Sequence, residues 1–215
     1  MNGEKDLSTR ETILQLLKTK GELSTKDLTG MLGITVMAVR RHLNALERDG
    51  LIRPKTVRLP MGRPAAVYSL TEHAEGFFPK KYHTLTLDLL GELAAESGDS
   101  MVELLFERRK ESLKRRYEAN IEGKPLTDKV AALADIQNDN GYMVEWERTE
   151  NGDFLLKEHN CPISVIANQY RHACRCELEL FQSLLDADVD RTECLAEGGR
   201  KCVYVIRSRG DSPPE

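Results

Sequence analysis

The sequence predicts an α+β protein, and three features of its 215 residues predict it. The first fifty residues contain three short amphipathic segments with helix start and stop signals. A leucine-rich stretch then keeps a helical pattern from about residue 83 to residue 138. Beyond residue 141 the pattern changes to strand-like runs and turn residues around a further helical stretch. We therefore expect helices and antiparallel strands in separate segments of the chain.

The composition is typical of a folded protein rather than a disordered one. Hydrophobic residues make up 40% of the chain, charged residues make up 31%, and the formal net charge is −4. No run approaches the roughly 18 consecutive apolar residues of a membrane span, and the first residues lack the basic and apolar segments of a secretory signal. We expect a cytoplasmic protein that has no membrane partner.

Charge is distributed unevenly along the chain. Residues 1–73 carry 12 Lys and Arg against 8 Asp and Glu, whereas the remainder carries 19 against 27. A basic beginning joined to an acidic body is expected when one end of a protein contacts a polyanion.

Start signals divide the first region into three short helices. Ser8-x-x-Glu11 and Ser24-x-x-Asp27 have the spacing of capping boxes, although Asp27 stands where Glu or Gln is usual. Thr35 can cap a third helix, because its hydroxyl can accept a hydrogen bond from a backbone N–H of the first turn. The apolar stripe predicted to be buried on this helix consists of Val36, Val39, Leu43 and Leu46.

The third helix leaves a polar and basic face outside that stripe. Two helices joined by a turn at Gly33, the second bearing cations and an amide, predict a helix-turn-helix whose second helix enters the DNA major groove. A small helical bundle with a solvated charged face is the alternative. The residues of this helix and its cap that we predict to contact DNA are Thr35, Met37, Arg40, Arg41 and Asn44.

A predicted hairpin follows the third helix. Extended runs at residues 51–59 and 66–70 flank a turn at residues 60–64. The hairpin predicts a wing, in which Arg63 at the tip reaches a narrow minor groove and Arg58 contacts phosphates. Residues 1–75 are therefore predicted to form a winged helix-turn-helix domain, and its predicted partner is a double-stranded DNA operator.

Residues 76–140 are predicted to form a helical linker. Leucines recur through it beside a charged run at residues 107–111, which is typical of a solvated helix face. One winged helix contacts one half-site, and tight binding requires a dimer that presents two. We expect these helices to form the two-fold interface of a homodimer.

Residues 141–215 are predicted to form an α+β domain with a hairpin on each side of its helices. An Asn-Gly-Asp turn and a Gly-Gly pair separate the strands of the two hairpins. The predicted strands cover residues 142–147, 154–158, 189–196 and 202–206, and helical sequence covers residues 164–185.

All five cysteines lie in this last region, at positions 161, 174, 176, 194 and 202. An odd number without an export signal favours reduced thiols over a disulfide framework. No CxxC pair occurs, which weakens the prediction of a zinc ribbon or of a thioredoxin-like centre. Thiolates that the fold brings together would bind an iron–sulfur cluster or another thiophilic metal, and the alternative is a set of buried, inert cysteines.

Several motifs together carry a resemblance to a known family. They are Gly62-Arg63-Pro64 in the wing, Asn160-Cys161-Pro162-Ile163, Cys174 after twelve intervening residues and Cys202 after twenty-seven more, and Gly198-Gly199-x-x-Cys202-x-Tyr204-x-Ile206. With the helical middle between them, the chain resembles the SufR family, the cluster-binding repressors of iron–sulfur biogenesis operons. The resemblance spans nearly the whole chain.

The resemblance implies a homodimer that holds one iron–sulfur cluster per subunit through Cys161, Cys174 and Cys202. A four-iron four-sulfur cluster is favoured, with a two-iron two-sulfur cluster as the alternative. Three thiolates leave one position of a four-iron cluster to another group, and a ligand other than cysteine would make the cluster labile, as a sensor requires. The residues available for that position are His159, His172, Cys176, Glu177 and Cys194.

We expect a transcriptional repressor of iron–sulfur biogenesis genes whose operator affinity depends on the cluster, and we do not expect an enzyme. One alternative is a winged-helix sensor of a metal or small ligand, of the arsenic-responsive type. Another is a ligand-binding or enzymatic domain tethered to DNA. In an enzyme, His159 and Cys161 could act as base and nucleophile, although the sequence shows no third group to orient them.

Overall fold

The structure is a computed structural model that describes residues 7–58 and 64–209. The chain divides into two compact units, Met1–Lys80 and Lys81–Glu215, which we call the head and the body. The predicted helical middle region and the predicted C-terminal region share one hydrophobic core within the body. Along the described chain, no helix combines the length and the apolar character needed to cross a membrane.

The head contains the predicted helices and the predicted hairpin. Its helices are α1 (Thr9–Lys20), α2 (Thr25–Leu32) and α3 (Val36–Arg48), followed after the sheet by a 3₁₀ turn at Glu72–Phe77. Its strands are β1 (Leu23–Ser24), β2 (Ile52–Val57) and β3 (Ala65–Leu70). They form an antiparallel sheet in the order β1-β3-β2. This arrangement confirms the predicted winged helix-turn-helix.

Side-chain caps begin the helices of the head as the sequence predicts. Ser8 and Glu11 form a complete capping box, and so do Ser24 and Asp27 despite the shorter acidic side chain. The Thr35 hydroxyl accepts a hydrogen bond from the backbone N–H of Ala38, at 3.2 Å. These bonds satisfy backbone donors that would otherwise lack partners at each helix start.

The apolar stripe of α3 packs into the core of the head. Val39, Leu43 and Leu46 are fully buried there. Val36 was predicted to belong to the same stripe, but its side chain is 44% exposed. Val36 is the first residue of α3, so it lies at the end of the helix, outside the contacts that bury the three later residues.

The body has five helices and four strands in its described part. The helices are α4 (Tyr82–Ser97), α5 (Asp99–Ile121), α6 (Leu126–Asp139), α7 (Ser164–Gln169) and α8 (His172–Leu185). The strands are β4 (Val144–Arg148), β5 (Phe154–Glu158), β6 (Ala187–Glu193) and β7 (Cys202–Ser208), with a 3₁₀ turn at Leu195–Glu197. The single helical stretch predicted from the sequence is interrupted at Tyr170, whose backbone is extended.

The two predicted hairpins of the body join into one antiparallel sheet. Its order is β4-β5-β7-β6, because β5 of the first hairpin pairs with β7 of the second. Leu156 stands opposite Tyr204 in this pairing, and both side chains are fully buried. Helix α8 covers the same face, where the rings of Phe181 and Tyr204 lie 4.9 Å apart. Helices and sheet thus form an α+β fold, as predicted.

Candidate DNA-contacting surface and cysteine cluster

The basic face predicted on α3 is exposed. The residues predicted to contact DNA, together with Ala38, line one open depression on the surface of the head. Met37 is 72% exposed, which is unusual for a large apolar side chain. The exposed residues are Thr35, Met37, Arg40, Arg41 and Asn44.

Two arginines on this face have no partner within the described chain. Neither Arg40 nor Arg41 forms an ion pair with a described residue, whereas Arg10 on α1 pairs with Asp49. Arg40 and Asn44 also line a groove between the start of α2 and strand β3. Free guanidinium groups on a helix-turn-helix recognition helix can contact phosphates or guanine edges.

The wing is described only in part. Arg58, predicted to contact phosphates, is exposed and directly follows β2. Arg63, predicted to lie at the tip of the wing, falls outside the described residues.

The fold of the body gathers four cysteines at one end of its sheet. Cys161 follows β5, Cys202 begins β7, Cys194 follows β6 and Cys174 lies in the first turn of α8. Antiparallel pairing places the end of β5, the start of β7 and the end of β6 on the same side of the sheet. All five cysteines of the chain are free thiols, and only Cys161 is partly exposed.

Cys194 lies among the three predicted ligands. Its thiol is within hydrogen-bonding reach of the Cys174 thiol. Burial raises the pKa of Cys161 and of Cys202, and the nearby Cys194 raises both further. Cys194 therefore belongs to the cluster, although the sequence treats it only as a secondary candidate. We call Cys161, Cys174, Cys194 and Cys202 the thiol cluster.

Cys176 points away from the thiol cluster. Its thiol donates a hydrogen bond to Glu107 of α5, at 3.2 Å. Among the described residues, Glu107, Cys176 and Glu179 form the one set of potential metal ligands whose atoms all lie within 4.8 Å. Lys110 already forms ion pairs with both carboxylates of this set, so it occupies the position a cation would take.

Two acidic side chains lie close to the thiol cluster. Glu158 is 1% exposed and accepts a hydrogen bond from Gln137 at 2.8 Å. Glu177 accepts a hydrogen bond from the Tyr204 hydroxyl at 3.0 Å. Burial raises the pKa of both carboxyl groups, and the charge of Glu177 raises the pKa of Glu158 further. Glu158 stands two residues after Leu156 on β5, so both side chains point to the same face of the sheet. This spacing is the sequence signal that could have identified Glu158 as inward-facing.

The two histidines considered as ligands have other surroundings. His159 faces Glu145, with 3.3 Å between its Nε2 and a carboxylate oxygen. The His172 ring stacks on Phe106, and its buried Nδ1 has no hydrogen-bond partner in the described chain. None of their described contacts is with a thiol of the cluster.

Backbone N–H groups point at two sulfurs of the thiol cluster. The N–H of Leu195 donates to Cys202 at 3.4 Å, and the N–H of Ile163 donates to Cys161. The guanidinium of Arg191 donates to the Cys174 carbonyl at 2.7 Å. Burial raises the pKa of the Cys174 thiol, and the charge of Arg191 opposes that rise. Backbone donors and a nearby cation stabilise negative charge on sulfur, so they suit thiolate ligands.

Burial makes three thiols of the cluster harder to deprotonate when no metal is bound. Burial raises the pKa of Cys174 and Cys202 to about 12 and that of Cys161 to about 11. A metal that binds here must therefore displace protons from sulfur. The donor set of soft thiolates fits an iron–sulfur cluster or another thiophilic metal.

A comparison with protein families bears on the head. A family model described as "Winged helix-turn-helix DNA-binding" matches residues 7–53. No curated protein matches the chain.

Solved structures show weaker likenesses. The chain is similar to Bacillus subtilis PadR in complex with operator DNA, at 20% identity over 60% of this chain and 92% of that chain, with a TM-score of 0.29. It is similar to a cysteine-to-serine mutant of Lactococcus lactis ZitR, at 25% identity over 54% and 80%, with a TM-score of 0.28. It is similar to an H-NOX protein from S. oneidensis in the Fe(II)NO ligation state, at 11% identity over 95% of this chain and 100% of that chain, with a TM-score of 0.40.

The matched family model and the exposed basic face of α3 define the class of the protein. The head is a winged helix-turn-helix DNA-binding domain. The protein is a DNA-binding protein of the winged-helix type.

In the turn between Cys194 and Cys202, the backbone at Gly199 packs so closely against Cys194 that there is no room for a side chain. A Cβ at this position would lie 2.8 Å from the Cys194 carbonyl oxygen. We expect Gly199→Ala to displace the turn, so that N-ethylmaleimide labels Cys194 and Cys202 faster in the metal-free protein, as measured by mass spectrometry. Gly91→Ala is the control, because a Cβ there meets no atom within 4 Å. Equal labelling rates in Gly199→Ala and the unmutated protein would contradict this account of the turn.

Arg40 and Arg41 are expected to contribute to DNA binding in distinguishable ways. An arginine that forms two hydrogen bonds to guanine contributes about 1–3 kcal/mol of discrimination against the other bases. Loss of a phosphate contact instead lowers the slope of log affinity against log salt concentration by about one unit. Affinity against salt concentration, measured for Arg40→Ala and Arg41→Ala on the duplex that the unmutated protein selects from a random pool, separates the two. Lys20→Ala on α1 is the control. If neither arginine variant bound more weakly than this control, α3 would not be the recognition helix.

Proposed function

We propose that the protein is a homodimeric transcriptional repressor whose operator affinity depends on an iron–sulfur cluster held by Cys161, Cys174 and Cys202. The observation that carries the proposal is the convergence of these thiols at one end of the body's sheet, in a chain whose head binds DNA. The resemblance to the SufR family adds iron–sulfur biogenesis genes as the regulated targets.

The spacing of the thiols favours a cluster over a single metal ion. Four thiolates around one zinc ion at about 2.3 Å would lie about 3.8 Å from each other. Within the described chain, no three thiols of the cluster come within 4.8 Å of one another. A centre with several irons accepts wider spacing, because each thiolate binds a different iron. When bound, an iron–sulfur cluster supplies a link between these thiolates that is sensitive to oxidants and to iron supply.

An exposed apolar face supports the proposed dimer. On α4, Tyr82, Leu85 and Leu89 recur at three- and four-residue steps and are 70%, 57% and 62% exposed. Neighbouring α5 adds Met101, Leu104 and Leu105, which are also exposed. Large apolar side chains grouped on paired helices are typical of a protein interface. A second copy of this chain is the proposed occupant, because a winged helix needs two heads to contact two half-sites.

Ion pairs link the thiol cluster to that face. Arg175 neighbours Cys174 on α8 and pairs with Glu103 of α5. Lys110 of α5 pairs with Glu179 of α8. A rearrangement of the first turn of α8 therefore acts on α5, which carries half of the proposed interface. The proposed coupling requires that the cluster bind one arrangement of the dimer more tightly than the other.

A sensor of a single thiophilic metal ion is the second candidate, and the thiol donor set itself favours it. We propose no catalytic role for the body. In the enzymatic alternative His159 would act as a base on Cys161, but no described contact joins these two side chains, and the Cys161 sulfur accepts a hydrogen bond from the N–H of Ile163.

Protein purified without air is expected to be brown and to contain iron and sulfide, because the Cys174 and Cys202 thiols are buried and the Cys161 thiol is only partly exposed. Cys161→Ser, Cys174→Ser and Cys202→Ser should each abolish stable cluster binding, as measured by iron and sulfide analysis and visible absorption. Cys176→Ser is the control, since its thiol faces α5. Full iron and sulfide in Cys202→Ser would show that the ligand assignment is wrong, and a colourless zinc protein would support the second candidate.

Cluster loss is expected to lower operator affinity about tenfold or more, which corresponds to about 1.4 kcal/mol of coupling free energy. The head should stay folded, since it has its own buried core. Titration of the selected duplex with cluster-bound and cluster-free protein, with circular dichroism on both forms, measures the two effects. Equal affinities in the two forms would overturn the sensor function and leave the cluster as a structural element.

A further inference from the structure

We propose that Cys194 is a fourth metal ligand, so that the site in the body is a four-thiolate site rather than one completed by a group other than cysteine. This inference rests on the proposed function, because it concerns the same site. It assigns to the site a thiophilic metal centre bound by Cys161, Cys174, Cys194 and Cys202.

The backbone around Cys194 is fixed by its own turn. Its carbonyl oxygen accepts hydrogen bonds from the N–H of Glu197 at 3.0 Å and from the N–H of Gly199 at 2.9 Å. The turn brings the chain back to Cys202, and its Leu195 N–H donates to the Cys202 sulfur. The same short segment therefore holds both thiols, and Cys194 is only 4% exposed.

The Cys194 thiol neighbours each of the other three thiols of the cluster. It lies within hydrogen-bonding reach of the Cys174 thiol, and it is close enough to Cys161 and to Cys202 to influence the pKa of both. It also lies near Arg191, whose guanidinium donates a hydrogen bond to the Cys174 carbonyl. A fourth thiolate would thus have a cation beside it to offset its charge.

Three of the other groups that could supply the fourth ligand are engaged elsewhere. The fourth, His172, has a buried Nδ1 without a hydrogen-bond partner in the described chain, but its ring stacks on Phe106 of α5 and none of its described contacts is with a cluster thiol. The Glu177 carboxylate accepts hydrogen bonds from the hydroxyls of Tyr142 and Tyr204, and it is a harder ligand than a thiolate. The Cys176 thiol is bonded to Glu107 on the opposite side of α8. His159 faces Glu145.

The test compares three variants with the unmutated protein, all purified without air. Cys194→Ser should lose visible absorbance in excess EDTA about tenfold faster or more, since even removal of an outer partner of a ligand costs about 10–100-fold in metal affinity. Cys176→Ser should match the unmutated protein, and Glu177→Gln should lose absorbance more slowly than Cys194→Ser. Circular dichroism and gel filtration establish that each variant is folded. Unchanged loss in Cys194→Ser, or accelerated loss in Glu177→Gln alone, would overturn the proposal.

Differential labelling tests Cys194 without a mutation. The metal-loaded and metal-free forms of the unmutated protein are treated with N-ethylmaleimide, and labelling is measured for each cysteine by mass spectrometry. Metal should protect Cys194 to the same degree as Cys161, Cys174 and Cys202, while Cys176 should react alike in both forms. A Cys194 that reacts alike in both forms would overturn the proposal.

The two proposals can fail separately. An unmutated protein that carries zinc without iron or sulfide would overturn the iron–sulfur function, and loss of that zinc in Cys194→Ser would still support Cys194 as a ligand. An unmutated protein that holds iron and sulfide and loses them in EDTA no more slowly than Cys194→Ser would overturn the fourth ligand alone. A protein that retains no metal of any kind would overturn both.

Discussion

The pairing of β5 with β7 is the interaction on which the site in the body depends. Each of the two hairpins is a local structure, but β5 and β7 are separated by two helices and a further strand along the chain. Their antiparallel register sets Glu158 opposite Cys202 and Leu156 opposite Tyr204. Because β6 pairs with the other edge of β7, the ends of three strands meet at one side of the sheet. A register shift of one residue would turn Cys202 to the opposite face and remove it from the thiol cluster.

The same pairing concentrates acidic groups that are costly to bury. Glu158 and Glu177 lie near thiols that must lose their protons to bind metal. Gln137 and the tyrosine hydroxyls donate hydrogen bonds to the carboxyl groups, and Arg191 is the cation beside the sulfurs. An uncompensated buried charge would cost several kcal/mol, so these donors are part of the site rather than neighbours of it. A cationic metal centre would further offset the charge of the thiolates.

Local signals in the sequence predict the head well, whereas long-range pairing limits the prediction of the body. Capping boxes at Ser8 and Ser24 act within four residues, so they can be identified without knowledge of the fold. The hairpins of the body were predicted, but no local signal specifies which of their edges pair, and the single sheet was missed. For the same reason Cys194, which lies outside the three-cysteine pattern that the resemblance implies, was only one of several candidates for the fourth position, although the structure places it in the thiol cluster. Glu158 was missed because an acidic residue is normally exposed, even though Glu158 falls on the inward-facing side of the alternation in β5.

The separation of the chain into two cores restricts how a metal site in the body can affect DNA binding. The head buries Ile13, Leu28 and Leu43 completely within its own core, and none of these side chains needs the body for its burial. Under the proposed function, loss of metal would therefore leave the recognition helix folded. What metal would change is the relative position of two heads in the proposed dimer, since specific binding requires both recognition helices to meet their half-sites at once. The exposed apolar face of α4 and α5 belongs to the same unit as the thiol cluster, so a change at the sulfurs has a direct structural route to the proposed interface. Control by dimer geometry follows from this arrangement more readily than control by folding of the head.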